Sequence, residues 1–279
     1  MAAKLLDGRT LAGALRTRRT EEATRFARAG GRRPALALVG AGDDPTAALY
    51  AGQVVRSCMR VGLDCALHRF PPDVAESELR DAVAALGERD DVQGVVVLLP
   101  LPRHIRQRVV TEALAPEKDI DGLGPRNAGR LMLGFPSYVP STADAALELL
   151  RDAGIALRGL NAAILGRSNV GGKPAALLFL REEATVTLCH SKTPDLADIT
   201  RQADVIMSST GRPHTVTAEM VRPGAVVLDA GAISVDGRVV GDVAFAEVSQ
   251  VAGYVSPVPG GMGPLTNLML IRHALLGPT

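Results

Sequence analysis

Along most of this 279-residue chain, short apolar runs alternate with stretches of helical character, and this rhythm limits the possible folds more than any other feature. Runs at 35–39, 65–69 and 94–98 read as strands, with segments 47–61 and 77–86 between them as helices. The runs are apolar nearly throughout, which is the pattern of strands covered on both faces. Strand, helix and strand in succession build a parallel sheet. A helix over 142–153 leads to a second series of strands at 162–165, 185–189, 205–207 and 225–228, with Rossmann character. The length suits two domains. The expected fold class is therefore α/β, with one α/β domain over 1–141 and a second, of Rossmann type, over 142–264. Residues 237–242 read as a hairpin arm, 265–276 as a terminal helix, and the Ala/Arg-rich stretch 11–33 as an amphipathic helix ending at Gly30-Gly31.

Lysine and arginine total 31 against 30 acidic residues, so no global field draws the chain to nucleic acid or to an anionic membrane. The first residues form no sustained apolar segment, and no run approaches the ~20 residues of a spanning helix. A cytoplasmic protein with no nucleic-acid or membrane partner is expected. Cys58, Cys65 and Cys189 are odd in number and lack CxxC spacing, which argues against a disulfide framework and a zinc site and reads as buried thiols. The histidines, at 68, 104, 190, 214 and 273, contain no i, i+4 pair, so no metal is expected. With no tryptophan, Tyr50, Tyr138 and Tyr254 are the only phenol rings available to stack on a ligand.

The run 162–165 leads into Gly166-Arg167-Ser168, then Gly171-Gly172 and a helix beginning near Lys173-Pro174. This order aims helix amides at a pyrophosphate, the first glycine permitting the tight turn. Ser168 stands where the usual GxGxxG pattern has its second glycine, which weakens the bare motif. The earlier Gly40-Ala41-Gly42 has no third glycine at the right spacing and reads as a loop. About 20 residues beyond the turn, where an NAD-binding fold places an acid on the ribose hydroxyls, stands Cys189-His190-Ser191-Lys192-Thr193. A hydroxyl and cations there, joined by Arg167, suit a 2′-phosphate, which points to NADP over NAD. Lys192 is also readable as a solvated surface charge.

Pro257-Val258-Pro259-Gly260-Gly261-Met262-Gly263-Pro264-Leu265-Thr266 locks glycines between prolines. Proline fixes φ and glycine permits close approach, so this stretch reads as a preset backbone cradle open to a flat substrate. A rigid surface turn is its other reading. Upstream, Pro116-Glu117-Lys118-Asp119-Ile120-Asp121-Gly122 follows an apolar run ending in Leu98-Leu99-Pro100-Leu101-Pro102. Asp121 sits in a glycine-ended loop, where a carboxylate either meets a ligand or caps a helix. Lys118 and Asp119 read as pairing or capping nearby.

Taken in order from Leu6-Asp7-Gly8 to the last helix, these segments resemble the methylenetetrahydrofolate dehydrogenase/cyclohydrolase family of FolD type over essentially the whole chain. The resemblance implies a homodimer, a terminal segment 265–279 that returns to the first domain, and a tetrahydrofolate one-carbon derivative as substrate. It implies catalytic positions at Tyr50, which packs on the folate rings, and at Asp121, which grips the pterin edge. It also implies substrate contacts from Val54, Leu98, Pro100, Pro259, Gly260, Gly261 and Pro264. NADP is implied at Gly166, Arg167, Ser168, His190, Ser191 and Ala232, with Arg167 and Ser191 toward the 2′-phosphate and Ala232 near the nicotinamide.

The chain departs from the family pattern around the reacting carbon. Family members with cyclohydrolase activity carry Tyr-x-x-x-Lys, which sets the lysine one helical turn from the tyrosine; here the segment is Tyr50-Ala51-Gly52-Gln53-Val54. The glutamine that supports that lysine is Leu98. Ala47, Ser141-Thr142-Ala143-Asp144-Ala145, Gly171 and Ile233 are further departures. Hydride transfer needs mainly positioning, whereas hydrolysis needs managed protons that Val54 and Leu98 cannot supply. The expected activity is NADP-dependent oxidation of 5,10-methylenetetrahydrofolate without cyclohydrolase. A redirected paralogue that hands the one-carbon unit to another acceptor, and a non-catalytic folate or NADP binder, remain open.

Overall fold

The computed structural model describes residues 2–235 and 238–278; Gly237, at the start of the expected hairpin arm, lies outside the described residues. The chain opens with β1 (Lys4–Leu5), α1 (Gly8–Gly30), β2 (Ala35–Ala41), α2 (Pro45–Val61), β3 (Asp64–Phe70), α3 (Glu76–Gly87) and β4 (Gly94–Val97). Three helices follow, α4 (Gln107–Glu112), α5 (Pro125–Met132) and α6 (Ser141–Asp152). Then come β5 (Asn161–Leu165), α7 (Gly172–Arg181), β6 (Thr185–Cys189), α8 (Leu196–Thr200), β7 (Val205–Ser208) and β8 (Val226–Asp229). The last elements are β9 (Ile233–Val235), β10 (Arg238–Val240), α9 (Phe245–Val248), β11 (Tyr254–Val255) and α10 (Gly263–Leu276).

Two compact units divide the chain. An amino-terminal unit holds Ala14–Val139 and the residues from Asn267 onward; a Rossmann unit holds the residues through Gly13 together with Pro140–Thr266. The residues through Gly13 therefore group differently from the expected 1–141 domain. Their physical reason is β1, which adds a parallel edge to the Rossmann sheet by pairing Lys4 with Tyr254 and Leu5 with Val255. Strands of two residues leave no apolar run to read.

In the amino-terminal unit the parallel sheet has the order β3-β2-β4. Every residue of β4 is buried, whereas β3 alternates between exposed and half-buried positions, as an edge strand does. Helix α2 shows why its sequence folds locally. Asp44 accepts the Ala47 amide at 2.9 Å, Pro45 takes the first turn, and Gly62 closes the helix in the left-handed region while Leu63 N–H reaches Cys58 C=O. Its buried stripe, Ala51, Val54, Cys58 and Val61, has helical spacing, and each fully buried valine contributes about 1.5–3 kcal/mol. Cys58 is buried, as expected, but Cys65 is only half-buried because it lies on edge strand β3.

The Rossmann unit has the order β1-β11-β8-β7-β5-β6, parallel throughout. From β5 the chain steps to β6 on one side and to β7 on the other, so a topological switch point opens at the carboxyl ends of these strands. One face of the sheet is sealed by Leu165, Ile206, Val227, Val248 and Val255. β9 and β10 pair antiparallel, Val235 with Arg238 and Ile233 with Val240, so the arm begins at Ile233, ahead of the expected 237–242.

Candidate functional site

At the switch point of the Rossmann unit lies a cavity of about 400 Å³, lined by Gly166, Arg167 and Ser168 after β5, His190 and Ser191 after β6, and Ser209, Thr210, Arg212 and Thr215 after β7. Five of the six expected cofactor residues meet there. Ala232, the sixth, is exposed next to Gly231, beyond the end of β8. Gly166 has φ 109°, and a Cβ there would lie 2.3 Å from Ser209 C=O. A Cβ on Gly172 would lie 1.8 Å from Gly166 C=O, so helix α7 starts as close to the turn as backbone allows. The Ser168 hydroxyl accepts the Gly171 amide at 3.1 Å, which gives the residue in the second glycine position a part in closing the turn. Gly171 also has a local reason, since a Cβ would fall 2.3 Å from Ser209 Oγ.

His190 is held by its backbone, its N–H donating to Thr193 Oγ1 while its Nδ1 accepts the Lys192 amide. That places the ring proton on Nε2. Among the described residues, Arg167, Lys192 and Arg212 form no ion pair, and no carboxylate lines the cavity. The chemistry fits a dinucleotide phosphate. Arg212 and Thr210 had no motif to mark them; the only signal is their position just past a buried strand.

In the amino-terminal unit the switch point falls between β2 and β4. Leu98 and Pro100 follow β4 there, the Leu99–Pro100 bond is cis, and Leu98 packs over Gly40, whose added Cβ would lie 3.0 Å from Leu98 Cδ1. Gly40 thus has a packing role in β2. Tyr50 is half-buried on α2; Val54, one turn on, is 0% exposed, and Leu98 is 4% exposed. Both aliphatic replacements are core residues of this unit.

Asp121 is half-buried in a turn fixed by its neighbours. Asp119, 1% exposed, accepts the Leu123 and Gly124 amides at 2.9 Å and Asn127 Nδ2 at 2.9 Å. It therefore takes the capping role expected of it, ahead of α5. Lys118 does not pair with it; its ammonium donates to the carbonyls of Arg89 and Val92. Burial pushes the Asp119 carboxyl up to about 6, against the opposing pull of Asn127 and the two amides. His273 of α10, fully buried, donates Nδ1–H to Ile120 C=O at 2.7 Å and packs at 5.8 Å from the Tyr138 ring. Neither Asp119 nor His273 was marked by sequence as a support for Asp121.

The cradle belongs to the Rossmann unit. Val258–Pro259 is cis, Gly260 has φ 123°, and Gly261 N–H donates to Pro257 C=O at 2.7 Å. Gly260 and Gly261 are buried, Pro259 and Gly263 are exposed and Pro264 is half-buried. The close approach is internal: a Cβ on Gly8 would lie 1.7 Å from Gly261 C=O, and the Arg9 guanidinium donates to Pro259 C=O at 3.5 Å. Asp7 orders that start of α1 by accepting the Arg9 amide and the Thr10 hydroxyl, which hold its carboxyl below the usual range.

Residues 6–121 match the family described as tetrahydrofolate dehydrogenase/cyclohydrolase, catalytic domain, and residues 140–277 match its NAD(P)-binding domain. The bifunctional protein FolD of Paraburkholderia phytofirmans is 47% identical over 278 residues, covering 99% of this chain and 96% of that protein. The crystal structure of the bifunctional FolD of Campylobacter jejuni superposes with a TM-score of 0.95 at 36% identity, covering 99% of this chain and 98% of the other. The FolD of Trypanosoma brucei, complexed with NADP and inhibitor, gives 0.94 at 36% identity, with 99% and 97% covered. This chain belongs to the tetrahydrofolate dehydrogenase/cyclohydrolase family, with two α/β domains of which the second is NAD(P)-binding.

Proposed function

We propose that this chain is an NADP-dependent methylenetetrahydrofolate dehydrogenase that has lost the cyclohydrolase step. The observation that carries the reading is the pair Val54 and Leu98, both buried and aliphatic in the unit that retains Tyr50 and Asp121. NADP, when bound, supplies the acceptor for the hydride leaving the methylene carbon. Gly166, Ser168 and the start of α7 hold its phosphates, while Arg167 and Ser191 meet the 2′-phosphate. Support for NADP comes from the acid-free cavity with Arg167 and Arg212 in its lining, and from the NADP complex of the Trypanosoma brucei relative.

Tyr50 packs on the folate rings and Asp121 accepts from the pterin edge in this reading. The positioning of Asp121 is inherited from Asp119 and His273, which keep its turn from relaxing. Hydrolysis of the methenyl product would require a group near Tyr50 to move protons at the reacting carbon. Val54 has no such group, and an aliphatic Leu98 leaves no amide in need of one.

The test is purified protein with 5,10-methylenetetrahydrofolate and NADP, followed at once for NADPH, methenyl and 10-formyl products. NADPH formed with accumulating methenyl product supports the proposal. Rapid 10-formyl formation above the spontaneous rate refutes the loss of cyclohydrolase. Binding of both ligands without NADPH would make the chain a binder or a redirected paralogue, and labelled methylene carbon appearing in a third compound would identify the latter.

A further inference from the structure

Two buried carboxylates, Asp229 at the end of β8 and Asp242 after β10, stand beside the dinucleotide cavity with no cation against them among the described residues. Asp242 Oδ2 accepts Ser208 Oγ at 2.8 Å, the Thr210 amide at 2.6 Å and Thr210 Oγ1 at 2.9 Å, and its Oδ1 accepts the Arg212 amide at 3.0 Å. Asp229 in turn accepts the Asp242 and Val243 amides and the Gly231 amide, which precedes Ala232, and its own N–H donates to Ser256 Oγ at the entrance to the cradle. Glycine is required around them: a Cβ on Gly241 would lie 1.9 Å from Asp229 Oδ2, and one on Gly231 would lie 2.5 Å from Asp242 Oδ1. Burying a carboxylate is costly unless all its acceptor sites are met, so a site built this closely around one needs an acceptor-only group.

We propose that Asp242 is a positioning residue for the dinucleotide, acting through Thr210 and Arg212, with Asp229 as its brace. The wall from Ser208 to Arg212 wraps around its two oxygens, and Thr210 and Arg212 line the cavity together with the Gly166 turn. Asparagine cannot take its place, because either orientation of the amide turns an NH2 group on backbone or hydroxyl donors. The brace links this wall to the backbone at Gly231 and to Ser256, so three parts of the Rossmann unit share one hub. The inference rests on the dinucleotide reading of the cavity.

The experiment measures NADP and NAD affinity by calorimetry for wild type, Asp242→Asn, Thr210→Val, Arg212→Ala and the double variant Asp242→Asn with Arg212→Ala, with the KM for each substrate where turnover is seen. Asp242→Asn is expected to weaken NADP about ten- to hundredfold, the loss of one or two charge-assisted bonds, with the KM for the folate substrate unchanged. In the double variant the loss is expected to fall short of the product of the single losses, because Asp242 acts through Arg212. Unchanged NADP affinity in a folded Asp242→Asn protein, or independent losses in the double variant, overturns the inference. If Asp242→Asn does not fold, Thr210→Val decides: it removes one hydroxyl donor and is expected to cost about threefold, and an unchanged affinity overturns the inference. A wild type that binds NAD as tightly as NADP defeats the cofactor assignment alone, and the same variants then judge Asp242 with NAD.

Discussion

Replacing Asp119 by asparagine tests whether the turn bearing Asp121 is built around a buried carboxyl that resists ionisation. Its pKa is pushed from an ordinary 3.8 up to about 6, chiefly by burial. At ~1.36 kcal/mol per unit, this is about 3 kcal/mol between the protonated and ionised limits. The folded state holds the proton more tightly than the unfolded chain. The stability is therefore fully present below pH 3.8 and lost as pH rises through about 6. Of the total, about 1.4 kcal/mol disappears between pH 5 and pH 8. Asparagine lacks this component, and its NH2 group faces the amide of Leu123 or the donors of Gly124 and Asn127, a pH-independent loss of ~1–3 kcal/mol. Urea unfolding followed by far-UV circular dichroism at pH 5, 6.5 and 8 is expected to show the variant less stable throughout, with the gap narrowing by about 1.4 kcal/mol toward pH 8. All other titrating groups are common to both proteins. A gap that stays constant or widens with pH refutes the reasoning.

Arg167→Ala is expected to weaken NADP about tenfold or more while leaving NAD affinity nearly unchanged, and an equal loss for both in calorimetry would remove Arg167 from the 2′-phosphate. Asp121→Ala is expected to abolish folate binding with the fold and NADP affinity intact; a variant that is unstable yet binds folate normally when folded would return Asp121 to a structural role. Val54→Lys places an ammonium where the side chain is 0% exposed, and a depression of ~3–5 pKa units from about 10.4 costs about 4–5 kcal/mol at pH 7, so its melting temperature is expected to fall steeply at neutral pH. Adding Leu98→Gln is expected to recover part of that loss, and equal stability of the single and double variants would show that the two positions do not support one another.

The element pattern was legible because hydrophobic periodicity and turn chemistry are local. The expected strand at 185–189 is β6, and the helix expected over 142–153 is α6, displaced by one residue at each end. The helix expected over 47–61 is α2, begun two residues earlier, and the strand, glycine turn and helix at Gly166 announced a cavity that the switch point of the sheet then places. The missing acid after β6 and the aliphatic pair Val54 and Leu98 are identities, visible without any fold. What only tertiary structure decided are the partners. The loop reads Asp119 as pairing or capping nearby, but only the fold shows that its partners are the Leu123 and Gly124 amides ahead of α5. Asp242 reaches Ser208 across 34 positions, and Gly261 meets Gly8 from opposite ends of the chain. These contacts follow from strand order and register, which bring distant backbone donors around a carboxylate or a bare glycine; a carboxylate in a sequence carries no mark of which amides will surround it.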